Sequence, residues 1–348
     1  MVRIAINGFG RIGRHFLRQV AGRSDFSVVA INDLGDLENL AYLLRYDTVY
    51  GRSVHAVGFD AGTSTLLFDN QPISFLQIKD PAQLPWRALG IDIVIEATGL
   101  FESYEKASVH IAAGCRRVII TAPAKDGDGV SGKTILAGVN ESEVSTVAVS
   151  SNGSCTTNAA SPVIAILSER PGIVKAMLST VHSYTATQNI VDGPVKGGRD
   201  FRRGRAAAGN ISPSTTGAAI AVTRALPALS GKFDGLAYRV PTLSGSLADI
   251  TFIAARSTSA DEINSILRDA AATPRWQSIL KVTDEQLVSS DIIGEPYGAI
   301  VDTNFTKVID GDFVKVVSWY DNEYGYVSTL IRHVSAVARF LSESNHSA

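Results

Sequence analysis

The sequence predicts an α/β chain, with a doubly wound parallel sheet in its first part and an α+β region with a mixed or antiparallel sheet after it. Three observations carry this reading. Short apolar runs alternate with helix-length segments as far as Ser151. A glycine-rich turn joins the first run to the first helical segment. Beyond Ser154 the strand-like runs lengthen and the alternation stops, as expected where a parallel sheet gives way to a different architecture.

Taken in order, Val2 to Asn7 opens the chain as a strand, with apolar residues on both faces as a doubly covered strand requires. Arg11 to Val20 follows as a helix. Phe26 to Asn32, Ile91 to Ala97, Arg117 to Thr121 and Thr146 to Ser151 supply further parallel strands. Ala159 to Leu167 is helix-like despite Pro162, and Ala218 to Leu226 is another helix. Lys175 to Tyr184, Leu236 to Val240, Ser246 to Ala255 and Phe313 to Tyr320 read as strands of the second region. Near the C-terminus Val327, Leu330, Ile331, Val334, Val337 and Leu341 recur at helical spacing, which gives one buried stripe. The expected division is a first domain over 1–153, completed by a C-terminal helix at about 322–348, and a second over 154–321.

The 348 residues are 45% hydrophobic, enough for two cores. Lys and Arg number 32 against 34 Asp and Glu, so no global basic field points to nucleic acid or an anionic membrane. No apolar run reaches the roughly 18 residues that a membrane span needs. Cys115 and Cys155 stand apart without a C-x-x-C pattern, so neither a disulfide framework nor a cysteine-based metal site is expected. These features point to a cytosolic protein with a small-molecule partner. Lys196, Arg199, Arg202, Arg203 and Arg205 crowd together with Phe201 as their lone aromatic, which argues against a nucleic-acid patch.

Gly8-Phe9-Gly10-Arg11-Ile12-Gly13 follows a strand and opens a helix, so its glycines allow a tight turn and the approach of a pyrophosphate to a helix N-terminus. Asp33, at the end of the second run, is placed to bond both ribose hydroxyls of an adenosine and to repel a 2′-phosphate. Leu34 follows it. Ser154-Cys155-Thr156-Thr157-Asn158 precedes a helix, and a thiolate is stabilised at a helix N-terminus. His182, at the end of a strand-like run, supplies a base. Cys115, between Gly114 and Arg116, reads as a small buried hydrophobe. Ser214-Thr215-Thr216-Gly217 precedes a helix, where it either cradles an anion or acts as a plain cap.

Together with Arg239-Val240-Pro241-Thr242 and Trp319-Tyr320-Asp321-Asn322-Glu323-Tyr324-Gly325, these motifs resemble the phosphorylating glyceraldehyde-3-phosphate dehydrogenases, in order from about residue 3 to about residue 340. The resemblance implies a Rossmann-type domain that binds NAD through Gly8, Gly10, Arg11, Ile12, Gly13 and Asp33. It also implies Lys79 on the adenine side, Thr121 near the cofactor and Asn322 on the nicotinamide carboxamide. Cys155 would be the nucleophile and His182 its base. Thr185 and Arg239 would bind the substrate phosphate, and Ser154, Thr156, Thr216 and Gly217 would receive inorganic phosphate. The basic loop would reach a neighbouring subunit's cofactor pocket in a homotetramer. Here that loop departs from the common pattern, since Val195 to Phe201 is slightly longer and lacks a histidine. Ala159 stands where many members have a second cysteine. An erythrose-4-phosphate dehydrogenase shares the cysteine, histidine and arginine but usually lacks the run at Thr216 to Ala219. A catalytically silent dinucleotide sensor would not need Cys155 paired with His182.

Overall fold

The computed structural model describes residues 1–195 and 199–346. The chain divides into two compact units, one comprising Met1–Ile135, Asn140–Gly153 and Leu330–Ala348, the other Leu136–Val139 and Ser154–Thr329.

The first unit contains β1 (Val2–Asn7), α1 (Arg11–Gln19), β2 (Phe26–Asn32), α2 (Leu37–Arg45), β3 (Tyr46–Asp47), β4 (Gly51–Arg52), β5 (Val57–Asp60), β6 (Thr65–Phe68) and β7 (Gln71–Leu76). It continues with β8 (Ile93–Glu96), α3 (Tyr104–Ala107), α4 (Val109–Ala112), β9 (Arg117–Ile120), β10 (Lys133–Thr134) and β11 (Val149–Ser151). Nine strands form one sheet in the order β10-β11-β9-β8-β1-β2-β7-β6-β5. β1 pairs in parallel with β2 on one side and β8 on the other, so the strand order reverses there and a crevice opens at their C-terminal ends. Its core strands are apolar on both faces: Ile4, Ala5 and Ile6 of β1 and Ile93, Val94 and Ile95 of β8 are fully buried.

The sheet is not parallel throughout, because β5, β6 and β7 form an antiparallel meander at one edge. Asp69 and Asn70, with φ of 48° and 61°, make a two-residue turn between β6 and β7. Positive φ at both central residues is what a tight hairpin needs, and Asp and Asn tolerate it.

The second unit contains α5 (Cys155–Glu169), β12 (Ile173–Ser183), β13 (Ser212–Thr215), α6 (Ala218–Ala225), β14 (Phe233–Val240), β15 (Ser246–Ala254), α7 (Ala260–Ala271), β16 (Leu280–Thr283), β17 (Ala299–Ile309) and β18 (Phe313–Tyr320). Its sheet runs β13-β14-β12-β15-β18-β17-β16 and is mixed, with β12 parallel to β14 and antiparallel to β15. α5, α6 and α7 cover one face around a core of Val163, Ile164, Val222, Ile250, Phe252 and Ile263.

The last helix, α8 (Tyr324–His346), is shared between the units at Thr329 and Leu330, whereas the sequence reading gave all of it to the first. Its opening turns stay with the second unit because Gly325 packs on the Tyr297 carbonyl, where a Cβ would lie 2.4 Å away. Asp321 caps this end by accepting from the Glu323 and Tyr324 amides at 2.9 and 3.0 Å. Of the basic loop, Lys196, Gly197 and Gly198 lie outside the described residues.

Candidate active site

The C-terminal ends of β1, β2 and β8 surround a pocket lined by Gly8, Gly10, Asp33 and Lys79, as the sequence predicts, and by Asn7, Asn32, Ile78 and Thr98 as well. Each glycine of the turn has its own reason. Gly8 has φ +96°, and a Cβ there would sit 2.6 Å from the backbone carbon of Ala97. Gly13 brings α1 against the turn, where a Cβ would meet the Gly8 oxygen at 2.4 Å. Gly10 faces open space within 4 Å, which leaves room for a bulky anion beside the N-terminal end of α1. Ile12 stands in its first turn.

Asp33 is fixed below the glycine turn: Oδ2 accepts from the Phe9 amide at 2.7 Å and Oδ1 from the Gly35 amide at 2.8 Å. A carboxylate has about four lone-pair sites, so acceptor capacity remains for two ribose hydroxyls. The Arg11 guanidinium does not line the pocket. It forms a bidentate pair with Asp47 at 3.0 and 3.2 Å. Thr121 also stays off the lining, with its hydroxyl donating to the Glu96 carbonyl at 3.1 Å. Beneath the pocket runs a buried polar chain. Asn32 donates to Asn7 at 2.8 Å, Asn7 to Glu96 at 2.6 Å, His110 meets the same Glu96 oxygen at 2.9 Å, and the Trp86 indole donates to His110 at 3.0 Å.

In the second unit the Cys155 Sγ lies 3.3 Å from the His182 Nε2. Ser154 caps α5 through a reciprocal box with Thr157, which places Cys155 at the first helical position. β12 delivers His182 at its end, directly paired with Arg239 of β14. The Arg239 Nη1 lies 2.7 Å from the His182 Nδ1, and the Ser183 carbonyl oxygen is 2.6 Å from that same nitrogen. Burial pushes the Cys155 thiol up, opposed by Arg239. Burial and then Arg239 push His182 down to about 3. Burial thus works against the charged form of both groups, and against the helix end that favours a thiolate.

The other predicted residues fall in the same unit with varied engagement. The Thr156 hydroxyl meets the Tyr320 hydroxyl at 2.9 Å, and Thr180 meets Tyr320 at 2.8 Å. Thr185 contacts the Thr187 hydroxyl at 2.9 Å, and its amide donates to Gln188 at 2.8 Å. Thr216 accepts from the Ala218 amide at 3.2 Å, beside Gly217 at the N-cap of α6. Asn322 accepts from Ser246 at 2.9 Å and Ser244 at 3.3 Å, which fixes its amide. Ser154 is engaged as the helix cap. Three participants escaped the sequence reading. Arg203, which donates to Thr187 at 2.9 Å, adds its charge to those acting on His182 and Arg239; it was hidden in the basic stretch. Tyr320 and Gln188 carried no signal beyond their neighbours. Cys115, by contrast, is buried and pushed up to about 12, an inert thiol as expected.

A cysteine beside a histidine and an arginine in one unit, with a pocket at a glycine turn in the other, can be compared with known proteins. A model of the glyceraldehyde 3-phosphate dehydrogenase NAD binding domain matches residues 2–104, and one of that family's C-terminal domain matches residues 154–322. The chain belongs to the glyceraldehyde 3-phosphate dehydrogenase family. It is 46% identical to the glyceraldehyde-3-phosphate dehydrogenase of Mycobacterium tuberculosis (strain ATCC 25618 / H37Rv) over 347 residues, 98% of this chain and 99% of the relative. Against that of Mycobacterium leprae the identity is 45% with the same coverage. Against that of Streptomyces coelicolor it is 45%, covering 95% of this chain and 96% of the relative. Membership makes the chain an NAD-dependent oxidoreductase that acts on an aldehyde.

Proposed function

We infer that the chain oxidises glyceraldehyde 3-phosphate with NAD and inorganic phosphate, and that Cys155 and His182 carry the reaction. The observation that carries the reading is the 3.3 Å approach of the Cys155 Sγ to the His182 Nε2 at the start of α5. The pocket fits the cofactor, since a Cβ at Gly8 would fill the space beside Ala97 while Gly10 is open and Asp33 is held below the turn. NAD, when bound, supplies the hydride acceptor. Asp33 and Lys79 would hold its adenosine end, and Asn322 its carboxamide.

The Cys155 sulfur adds to the aldehyde carbon, giving a hemithioacetal whose hydroxyl proton His182 takes as the carbon is oxidised to a thioester. Inorganic phosphate, held by Ser154, Thr156, Thr216 and Gly217, then attacks the thioester and releases an acyl phosphate and free Cys155. Arg239 and Thr185 hold the substrate's own phosphate, with Arg203 adding positive charge. The hydroxyls of Ser154 and Thr156 exchange a protein partner for phosphate when they do this.

A homotetramer is supported by an apolar face of the second sheet, opposite its helices. Met177 and Val181 of β12, Leu236 and Tyr238 of β14 and Phe313 of β18 are all exposed there, a suitable surface for a second copy. The cytoplasm suits two free cysteines, and no helix of the described residues is long and apolar enough to cross a membrane. One assay series tests the reading: glyceraldehyde 3-phosphate and erythrose 4-phosphate, each with NAD or NADP and with or without phosphate, following reduced cofactor and acyl phosphate. Phosphate-dependent turnover of glyceraldehyde 3-phosphate with NAD is expected, and preference for erythrose 4-phosphate would overturn it. Sedimentation velocity tests the tetramer.

A further inference from the structure

The polar chain beneath the dinucleotide pocket ends on a single acceptor. The Glu96 carboxylate, 2% exposed, takes four hydrogen bonds: Oε1 accepts from the Thr98 amide at 2.9 Å and from the Thr98 hydroxyl, and Oε2 accepts from Asn7 Nδ2 at 2.6 Å and meets His110 Nε2 at 2.9 Å. The sense of the last contact is set from the far side of the ring. An indole N–H can only donate, so Trp86 Nε1, 3.0 Å from His110 Nδ1, keeps that nitrogen bare and leaves the ring proton on Nε2. His110 is therefore a neutral donor to Glu96 and not a cationic partner, since a second ring proton would point at the Trp86 hydrogen. Asn7 Nδ2 also lies 3.5 Å from His110 Nε2, but both nitrogens donate to the nearer Glu96 oxygen.

Because Glu96 only accepts, it dictates the sense of each amide along the chain. Asn7 must turn its NH2 group to Glu96, which presents Asn7 Oδ1 to Asn32 Nδ2 at 2.8 Å. Asn32 then turns its Oδ1 to the Ile78 amide at 2.9 Å, while its Nδ2 also donates to the Ile78 carbonyl at 3.0 Å. Asn7 and Asn32 end β1 and β2, and Ile78 and Thr98 follow β7 and β8. All four line the pocket, and Asn32 immediately precedes Asp33.

We propose that Glu96, its acceptor role locked by the Trp86–His110 pair, is a positioning residue for the NAD pocket: one buried carboxylate fixes the orientation of Asn7, Asn32, Ile78 and Thr98, so that the adenosine end of the cofactor meets a preformed wall. The inference rests on the assignment of this pocket to NAD. Such preorganisation is read in affinity, because a protein whose walls have rearranged binds only through its competent fraction.

The test is Glu96→Gln in the full-length protein, which keeps the shape and replaces one acceptor with a donor. The glutamine oxygen stays with Thr98, whose backbone amide has to donate, so the new NH2 group confronts the donors of Asn7 and His110. Calorimetry with ADP-ribose, which carries the adenosine end without nicotinamide and is not turned over, should show Kd raised roughly ten- to a hundredfold, the worth of buried donors left without an acceptor. A purely structural role would lower the melting temperature and the number of sites per chain but leave the Kd of the folded fraction unchanged, and that result would overturn the proposal. Adding Trp86→Phe releases the lock, so that His110 can bare Nε2 toward the glutamine. The double variant should bind ADP-ribose more tightly than Glu96→Gln alone, and equal or weaker binding would overturn the lock. In wild-type protein with ¹⁵N-labelled histidine, the ring whose signals Trp86→Phe alters should be a neutral Nε2–H tautomer. A bare Nε2 or a doubly protonated ring would overturn the proposal even if Glu96→Gln does not fold. Failure of the wild-type protein to bind ADP-ribose would overturn the assignment of the pocket instead.

Discussion

Cys155 is pulled in two directions, with burial holding the proton on sulfur and Arg239 drawing it off. Replacement by serine removes the contest, because a hydroxyl is far harder to ionise than a thiol. Cys155→Ser should abolish aldehyde oxidation while NAD still binds, as calorimetry would record; retained turnover would remove Cys155 from the mechanism. His182→Asn should slow hydride transfer by roughly 10²- to 10⁴-fold, the usual worth of a positioned base, in single-turnover measurements. Arg239→Leu should lower kcat/KM for glyceraldehyde 3-phosphate by on the order of 10² or more, since binding energy at the phosphate positions the reacting carbon. Unphosphorylated glyceraldehyde has no phosphate to hold, so its slow oxidation should not fall. Equal loss of both activities would make Arg239 a structural residue. Asp33→Ala should weaken NAD and narrow its advantage over NADP, with part of the loss arising from the Phe9 and Gly35 amides left without their acceptor.

The glycine turn separates ligand binding from packing within a few residues of one element. Gly10→Ala adds a methyl group to open space, so the melting temperature should hold while NAD affinity falls. Gly13→Ala drives a methyl group into the Gly8 oxygen, so stability should fall by about 1–3 kcal/mol, as is typical of overpacking, and the melting temperature with it. Paired thermal melts and NAD titrations distinguish the two, and identical behaviour would refute the division. This element was legible in the sequence because its constraint is local: β1, the turn and α1 follow from apolar runs and glycine spacing. The edge meander was not, although Asp69-Asn70 is a hairpin signal, because its short strands mix faces and lack a long apolar run. The candidate site was legible where residue type and position suggest chemistry, as at Cys155 and His182, while Arg239 rested on the family resemblance. It was not where chemistry depends on pairings distant in sequence, such as Arg203 with Thr187 or Tyr320 between Thr156 and Thr180.

Across the whole molecule, three buried histidines set the response to acid. His15, His182 and His333 are each lowered to about 3, with burial the first cause. Between about 6.5 and 3 the unfolded chain binds protons at these side chains and the folded chain does not, so stability falls as pH falls through that window, by up to about 1.4 kcal/mol per pH unit for each. Melting temperatures from pH 8 to 5 should decline below 6.5. His333→Gln should flatten that slope by about one proton, and an unchanged slope would exclude His333 as a contributor. His333 bonds Ser150 at 3.0 Å and Asn152 at 3.2 Å within the first unit, and it reaches them from α8. Leu330, Val334, Val337 and Leu341 of that helix are likewise buried in a unit that begins at Met1. Synthesis on the ribosome therefore completes the molecule out of order. The segment from Ser154 to Thr329 has emerged in full while the strands made first still lack their covering helix, and domains fold as units once their residues are available. A chain that stalls or is clipped before Leu330 should keep a finished second unit and bind no dinucleotide, so competence for NAD waits on the segment that follows Leu330.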